Sequence, residues 1–272
     1  MKLSNTTKQK LKTQYGPWAM VTGASSGIGR ELAERLAESG LNLALVARSE
    51  DKLDSLSKEL IRQYGIETLV LPTDLSKAEQ TQGLLNSLEE MEIGLVVASV
   101  GFGTSGLFVE SKLEEELQML RLNCESLFRL THHYGQRMSK KGRGGIILMS
   151  SMVGFQGTPY AAHYAATKAY VQNLGEALAL ELKPFGVSVL AAAPGPVLSS
   201  FGDKARMQMG NAMQPKDVGV PILKALGKRG TVLPGFLTKF LVGSLRTLPR
   251  WGKIRVMRLV MGGMTQHQRS QA

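Results

Sequence analysis

The feature that most constrains the fold of this chain is a glycine-rich loop directly after a short apolar run. The run is Trp18–Thr22, and the loop reads Thr-Gly-Ala-Ser-Ser-Gly-Ile-Gly at positions 22–29. The residues that follow repeat apolar side chains at helical spacing, with Ile28, Leu32 and Leu36 on one face. A strand that turns through glycines into a helix is typical of the first unit of a parallel α/β sheet.

Each glycine of this loop has a physical reason to be there. Gly23 can take a tight turn, Gly27 lets the backbone approach a pyrophosphate, and Gly29 lets the helix pack closely on the strand. The free N–H groups at the start of the helix then face the anion. We therefore expect a dinucleotide to bind at this loop, although an ordinary glycine-bearing turn is the alternative for the loop taken alone. The expected contacts are Gly23, Ser25, Ser26, Gly27, Ile28 and Gly29.

Short apolar runs and longer helical segments continue to alternate along the chain. The candidate strands are Trp18–Thr22, Leu41–Ala47, Thr68–Leu71, Leu95–Val100, Gly145–Ser150, Val187–Ala193 and Thr231–Leu233. This alternation predicts one Rossmann-like, doubly wound α/β domain over residues 16–234, with about seven parallel strands and helices on both faces. A polar arm at residues 1–15 precedes it, and a basic extension at residues 235–272 follows it. Ligands of such sheets bind at the carboxyl ends of the strands.

Arg48 ends the second apolar run, at the position that distinguishes the two nicotinamide cofactors. An acidic residue there would bind the adenosine ribose of NAD, whereas an arginine binds the 2′-phosphate of NADP. The run Leu43–Ala47 carries no acid at its end, and the planar guanidinium of Arg48 suits a phosphate. Arg48 therefore favours NADP(H), with a solvated surface arginine as the alternative.

A tyrosine and a lysine four residues apart form the second motif. Tyr164 and Lys168 share one face of a predicted helix, so the ammonium can lower the pKa of the phenol towards the working pH of a general acid. The buried run that starts at Gly145 ends in Ser150 and Ser151. The Ser151 hydroxyl can bond a substrate oxygen there, or it can simply bond its own backbone in a turn.

With these motifs in order, the chain resembles the short-chain dehydrogenase/reductase family over roughly Trp18 to Pro234. The resemblance implies hydride transfer between NADP(H) and a carbonyl or secondary alcohol, with a regulator or scaffold without turnover as the alternative. It implies that Tyr164 moves the proton, Ser151 polarises the carbonyl and Lys168 lowers the pKa of Tyr164 and binds the nicotinamide ribose. It also implies that Asn123 holds a water that connects Lys168 to solvent.

The resemblance extends the expected cofactor site beyond the glycine loop and Arg48. Asp74 matches the family's aspartate near the adenine, and Ser199 stands where a threonine often bonds the carboxamide. The further expected contacts are Leu75, Gly101, Tyr164, Lys168, Pro194, Gly195 and Val197. After the fourth strand the family has Asn-Asn-Ala-Gly, whereas this chain has Ala98-Ser99-Val100-Gly101. We expect Ser99 to replace part of the lost amide bonding between strands.

The segment from Leu198 to Pro215 is the expected substrate lid. It contains Phe201, Met207, Met209 and Met213, and methionine adapts to irregular apolar ligands. These side chains predict an apolar carbonyl substrate, unless they only pack the lid onto the domain.

The charge of +11 is concentrated in the last fifth of the chain. Residues 218–272 contain ten basic and no acidic side chains. The apolar and basic segment Phe236–Met264 packs on the domain or on a partner subunit, or lies on an anionic membrane. No apolar run reaches the roughly 18 residues that span a bilayer.

The remaining features bound partners and location. The chain has a single cysteine, Cys124, so no intramolecular disulfide forms. We expect a cytoplasmic homodimer or homotetramer that acts on a small carbonyl or alcohol, with peripheral membrane contact as an open alternative. No motif indicates nucleic-acid binding. The adjacent His132 and His133 point to different sides of a helix, so no metal site is expected.

Overall fold

Seven parallel strands form one sheet, as the apolar runs predict. The computed structural model describes residues 2–210 and 212–269. Within them the sheet has the order β3-β2-β1-β4-β5-β6-β7. The strands are β1 (Trp18–Thr22), β2 (Asn42–Ala47), β3 (Thr68–Pro72), β4 (Ile93–Ala98), β5 (Gly144–Met149), β6 (Val187–Ala192) and β7 (Thr231–Val232). The Rossmann-like prediction is confirmed, and the order reverses between β1 and β4, where doubly wound sheets bind ligands.

Helices cover both faces of the sheet because its strands are apolar on both sides. One buried cluster joins the sheet to α2, α3 and α9, and a second joins it to α4, α6 and α7. The helices are α1 (Asn5–Tyr15), α2 (Gly27–Glu38), α3 (Glu50–Tyr64), α4 (Ala78–Ser87), α5 (Leu113–Leu120), α6 (Leu127–Lys141), α7 (Ala162–Glu181), α8 (Phe201–Ala205), α9 (Pro215–Ala225), α10 (Phe236–Arg246), α11 (Arg250–Met264) and α12 (Gln266–Arg269). A π-helical segment, Arg121–Ser126, connects α5 to α6.

The predicted polar arm is a helix that closes the amino-terminal edge of the sheet. In α1, the side chain of Ser4 accepts a hydrogen bond from the backbone N–H of Thr7, which caps the helix. Leu11 and Tyr15 lie four residues apart and are both buried. The Tyr15 hydroxyl donates to Ser188 Oγ at 3.1 Å, at the start of β6. The sequence predicted a polar arm because this segment is mostly polar. Its helix is held on the domain by only two buried side chains, those of Leu11 and Tyr15.

The basic C-terminal segment packs beside the carboxyl edge of the sheet. A third apolar cluster joins Met119 of α5, Tyr164 of α7, Leu245 of α10, and Met257 and Met261 of α11. The extension is therefore attached to the domain through one face of each helix. Within the described residues, no helix has both the length and the apolar character needed to cross a membrane.

Candidate active site

The glycine loop connects β1 to α2 through two residues in the left-handed region. Gly23 has φ +70° and Gly27 has φ +58°, values that glycine adopts without steric cost. A Cβ at position 29 would lie 2.3 Å from the backbone oxygen of Gly23. Only glycine at position 29 therefore lets α2 start this close to the end of β1. The Gly23 N–H donates to the Val46 oxygen at 2.8 Å and ties the loop to β2.

A cavity of about 460 Å³ lies along the carboxyl edge of the sheet. The structure brings every residue of the expected cofactor site to its wall: Gly23, Ser25, Ser26, Gly27, Ile28, Gly29, Arg48, Asp74, Leu75, Gly101, Tyr164, Lys168, Pro194, Gly195, Val197 and Ser199. Ser151 also lines the cavity, whereas Asn123 lies behind the wall. The cavity thus runs from the end of β2 to the first turn of α7.

Tyr164 stands at the apolar end of this cavity. It lies in the first turn of α7, and the Ser151 hydroxyl is near its side chain. Burial raises the pKa of Tyr164 above its usual value, and the neighbouring Ser151 hydroxyl opposes this rise. Its ring lies 5.3 Å from the ring of Phe201, centroid to centroid. The phenol is therefore held protonated beside the serine, as a general acid requires.

Lys168 lies one turn further along α7 and is also buried. Its Nζ is 5.8 Å from the centre of the Tyr164 ring and donates to the Met149 backbone oxygen at 2.9 Å. Burial lowers the pKa of Lys168 to about 8. The lysine therefore stands near the phenol, as the helical spacing predicts. Burial nevertheless dominates the pKa of Tyr164 and moves it in the opposite direction to the expected one.

Asn123 supports the site from the π-helical segment. Its side-chain nitrogen donates to the Phe102 oxygen at 2.9 Å and to Thr167 Oγ1 at 3.1 Å, and its Oδ1 accepts from the Phe102 N–H at 3.2 Å. A Cβ at Gly101 would lie 2.9 Å from this Oδ1 and 3.4 Å from Lys168 Nζ. Asn123 thus fixes the loop after β4 against α7 in the direct neighbourhood of Lys168. Single-turn π segments of this kind are frequent at functional sites.

The altered loop after β4 is tied to β1 by a residue that the sequence analysis did not single out. The Thr22 hydroxyl accepts hydrogen bonds from the N–H groups of Ser99 and Val100, at 3.1 Å and 3.2 Å. It donates to the Val97 oxygen at 3.3 Å. The strand connection that we expected of the Ser99 side chain is therefore made by Thr22. The sequence feature that could have indicated this role is the position of Thr22 as the first residue of the glycine motif.

The polar end of the cavity lies at the tips of β2 and β3. Arg48 is exposed there, and Asp74 Oδ1 accepts from the Ser76 N–H at 3.0 Å and from its hydroxyl at 2.7 Å. Two further cations, Lys52 and Lys204, line the same cavity. Sequence reasoning missed both, because Lys52 lies in an ordinary amphipathic helix and Lys204 in the lid.

The lid forms only part of the substrate side. Phe201, Met207 and Met209 line the cavity as expected, whereas Met213 pairs with the strand-like stretch at Val197 and its side chain lies against Gly235. The opposite wall comes from the C-terminal helix α11. Its contributing side chains are Met257, Val260, Met261 and Met264. Their helical spacing was visible in the sequence, but nothing there indicated that this face meets the cavity.

Comparisons with known proteins agree with this geometry. The family model of the short chain dehydrogenases matches residues 17–210. The 7β-hydroxysteroid dehydrogenase of Clostridium sardiniense is 30% identical over 232 residues, which cover 84% of this chain and 89% of that enzyme. The very-long-chain 3-oxoacyl-CoA reductase of Pyrenophora tritici-repentis is 34% identical over 81% of this chain and 67% of the relative. A short-chain dehydrogenase from Sphingobium yanoikuyae, solved with NADPH, superposes with a TM-score of 0.77 at 30% identity, covering 85% of this chain and 94% of that one.

Proposed function

The chain belongs to the short-chain dehydrogenase family, and from this premise we propose that it interconverts bulky apolar ketones and their secondary alcohols with NADP(H). Family membership makes it an oxidoreductase with a nicotinamide cofactor that acts on a small carbonyl or alcohol substrate. The choice of NADP(H), the substrate class and the roles of individual residues are our proposal. The observation that carries it is that Ser151, Tyr164 and Lys168 line the same cavity as the glycine loop and Arg48.

The proposed mechanism assigns one task to each polar side chain. Bound nicotinamide supplies or accepts the hydride. The Tyr164 hydroxyl donates its proton to the carbonyl oxygen as the alcohol forms, and takes it back in the reverse direction. The Ser151 hydroxyl donates to the same oxygen and orients it. The Lys168 ammonium favours the phenolate that Tyr164 becomes after it has given up its proton, and Asn123 keeps the loop at Gly101 in place.

The preference for NADP(H) rests on Arg48. Its guanidinium lines the cavity at the end of β2, the place where an acidic residue would bind the ribose of NAD. Titration of the purified protein with NADPH and with NADH, followed by quenching of protein fluorescence, tests this role. We expect much tighter binding of NADPH. Equal or NADH-favoured binding contradicts the role of Arg48, and binding of neither favours the scaffold without turnover.

The apolar substrate class rests on the two walls around Tyr164. Lid residues form one wall and methionines of α11 form the other. Among the described residues, those of α11 that line the cavity are all uncharged. One relative is named for a hydroxysteroid and another for a very-long-chain 3-oxoacyl-CoA. Both names support a large apolar substrate for this chain. Competition among carbonyl compounds is the test, and a clear preference for small polar sugars would overturn the apolar class.

Self-association is proposed through the outer faces of α5, α6 and α7. These faces expose five large apolar side chains: Leu113, Leu120, Phe128, Tyr170 and Leu180. Exposed apolar area of this kind is characteristic of subunit contacts. Light scattering on a sizing column tests the proposal, with a dimer or tetramer expected and a monomer at micromolar concentration contradicting it.

Peripheral membrane contact is proposed for the outer surface of α10 and α11. Phe236 and Phe240 of α10 are 84% and 61% exposed, and Trp251 and Leu259 of α11 are 63% and 78% exposed. Exposed basic residues stand among them, and an anionic bilayer attracts this combination. Sedimentation with anionic and neutral vesicles at low salt distinguishes membrane contact from plain packing on the domain. If the protein binds neither kind of vesicle, the proposed membrane contact is wrong.

A further inference from the structure

Three cations from three separate elements meet at the polar end of the cavity. Arg48 follows β2, Lys52 lies in the first turn of α3, and Lys204 lies in the lid helix α8. All three line the cavity that also contains the glycine loop. Arg48 has an assigned partner in the proposed function, whereas the two lysines have none.

None of these three cations forms an ion pair within 4 Å in the described part of the chain. The ion pairs within 4 Å involve other basic residues there. Arg35 of α2, for comparison, bonds both Glu31 and Glu38. The pKa of Lys204 is lowered by partial burial and further by the charges of Arg48 and Lys52. Like charges that lie together on a concave surface, with no ion pair to a carboxylate, are stabilised by a bound anion.

The path of the lid explains how Lys204 reaches this end. Ser199 is the second residue of the lid, and a Cβ at Gly27 would lie 3.0 Å from the Ser199 Cβ. The lid thus crosses directly over the glycine loop before α8 begins. The ring of Phe201, at the start of α8, lies tilted against the Tyr164 ring, and Lys204 follows three residues later. One short helix therefore touches both the reacting end and the polar end of the cavity.

We propose that Lys204 reaches from the lid to complete, with Arg48 and Lys52, a three-cation site for the 2′-phosphate of the cofactor. This inference rests on the proposed use of NADP(H). The phosphate carries about −1.5 to −2 charges at neutral pH, so a single arginine does not balance it. Binding of the phosphate holds the lid, and with it Phe201, against the site. A cofactor without the 2′-phosphate does not make this contact with Lys204 and does not hold the lid against the site. Lys204 is therefore a lid residue that determines the preference for a cofactor with the 2′-phosphate.

The test uses two nucleotides that lack the nicotinamide and therefore report only on the polar end. Adenosine 2′,5′-bisphosphate carries the 2′-phosphate and adenosine 5′-monophosphate does not. Calorimetric titration of wild type and of Lys204→Met is expected to give about tenfold weaker binding of the bisphosphate to the variant, with the monophosphate unchanged. Hydrogen exchange of the amides of residues 200–206 should slow with the bisphosphate in wild type and not in the variant.

A matched control removes another cation from the same lid. Arg206 follows α8, pairs with Glu115 at 3.8 Å, and does not line the cavity. Arg206→Met should bind both nucleotides as wild type does and keep the lid protection. Equal loss in Lys204→Met and Arg206→Met would mean a general charge effect and would overturn the assignment to Lys204.

The failure of this inference can be separated from the failure of the proposed cofactor. If Arg48→Met loses bisphosphate binding while Lys204→Met binds as wild type, NADP(H) stands and the role of Lys204 is wrong. If wild type does not distinguish the two nucleotides, the proposed cofactor preference is wrong and the three-cation site falls with it.

Discussion

The ammonium of Lys168 donates a hydrogen bond to the backbone oxygen of Met149, at 2.9 Å, at the end of β5. This contact fixes α7 to the strand that also carries Ser151, so the lysine and the serine are positioned by the same strand end. The lysine is buried, and the phenol of Tyr164 lies beside it at 5.8 Å from Nζ to ring centre. Burial thus acts on both groups of the proposed proton path, and it disfavours the charged form of each.

The burial of Lys168 makes stability depend on pH. Its pKa falls from 10.5 to about 8 on folding, so between these pH values the unfolded chain binds more protons than the folded one. The free energy of unfolding therefore rises with pH in this interval. The Lys168→Met variant lacks this pH dependence. Its free energy of unfolding, relative to that of wild type, should therefore fall by on the order of 3 kcal/mol between pH 8 and pH 10.5. Urea unfolding at a series of pH values measures it, and a constant difference contradicts the buried charge.

Asn123 should contribute to stability through its three hydrogen bonds. Asn123→Ala leaves the Phe102 backbone groups and Thr167 Oγ1 without this partner in a buried place, which costs about 2–3 kcal/mol. Asn86→Ala is the control, because the bond of Asn86 to Gln82 is exposed. Urea denaturation compares the two variants. Equal, small losses would show that Asn123 does not hold the loop after β4.

Two glycines in helices should respond to alanine in opposite ways. At Gly29 a Cβ meets the Gly23 backbone, so the loop must move, and Gly29→Ala should weaken nicotinamide-cofactor binding more than about tenfold. At Gly83, inside α4, a Cβ meets no atom within 4 Å, and Gly83→Ala should stabilise by about 0.5–1 kcal/mol. Thermal unfolding and cofactor titration test the pair. Unchanged binding in Gly29→Ala contradicts the close packing of loop and helix.

The α11 wall should determine how well apolar substrates bind. Met264 is half-buried and lines the cavity, so Met264→Asn should raise KM for a bulky apolar ketone about tenfold with kcat little changed. Leu259→Asn is the control, because Leu259 lies on the same helix, is exposed and does not line the cavity. Equal KM values for the two variants would remove α11 from the substrate site.

The parts of this protein that were predictable have local causes. The strands are continuous apolar runs, and the structure places β1 at the predicted residues and β4 two residues earlier than predicted. The backbone geometry of the loop requires its glycines, so their spacing in the sequence predicts the turn between β1 and α2. The Tyr164 and Lys168 pair is brought together by helical periodicity alone.

The parts that were missed depend on contacts between distant segments. Thr22 bonds Ser99 and Val100 across strands, and the sequence shows no partner for a lone hydroxyl. Leu11 and Tyr15 are buried because the sheet edge needs covering, which polar composition conceals. The pKa of Tyr164 is governed by the amount of protein around it, which spacing to Lys168 does not report.

The most direct test of the proposed chemistry compares wild type with Tyr164→Phe in deuteride transfer. Each protein is incubated with deuterated NADPH and an apolar ketone, and the alcohol is examined for deuterium at the new C–H position. Tyr170→Phe, an exposed tyrosine of the same helix, is the control. Wild type and Tyr170→Phe should transfer deuterium, whereas Tyr164→Phe should bind NADPH as tightly and transfer it about 10²- to 10⁴-fold more slowly. Transfer by Tyr164→Phe at the wild-type rate would contradict Tyr164 as the proton donor.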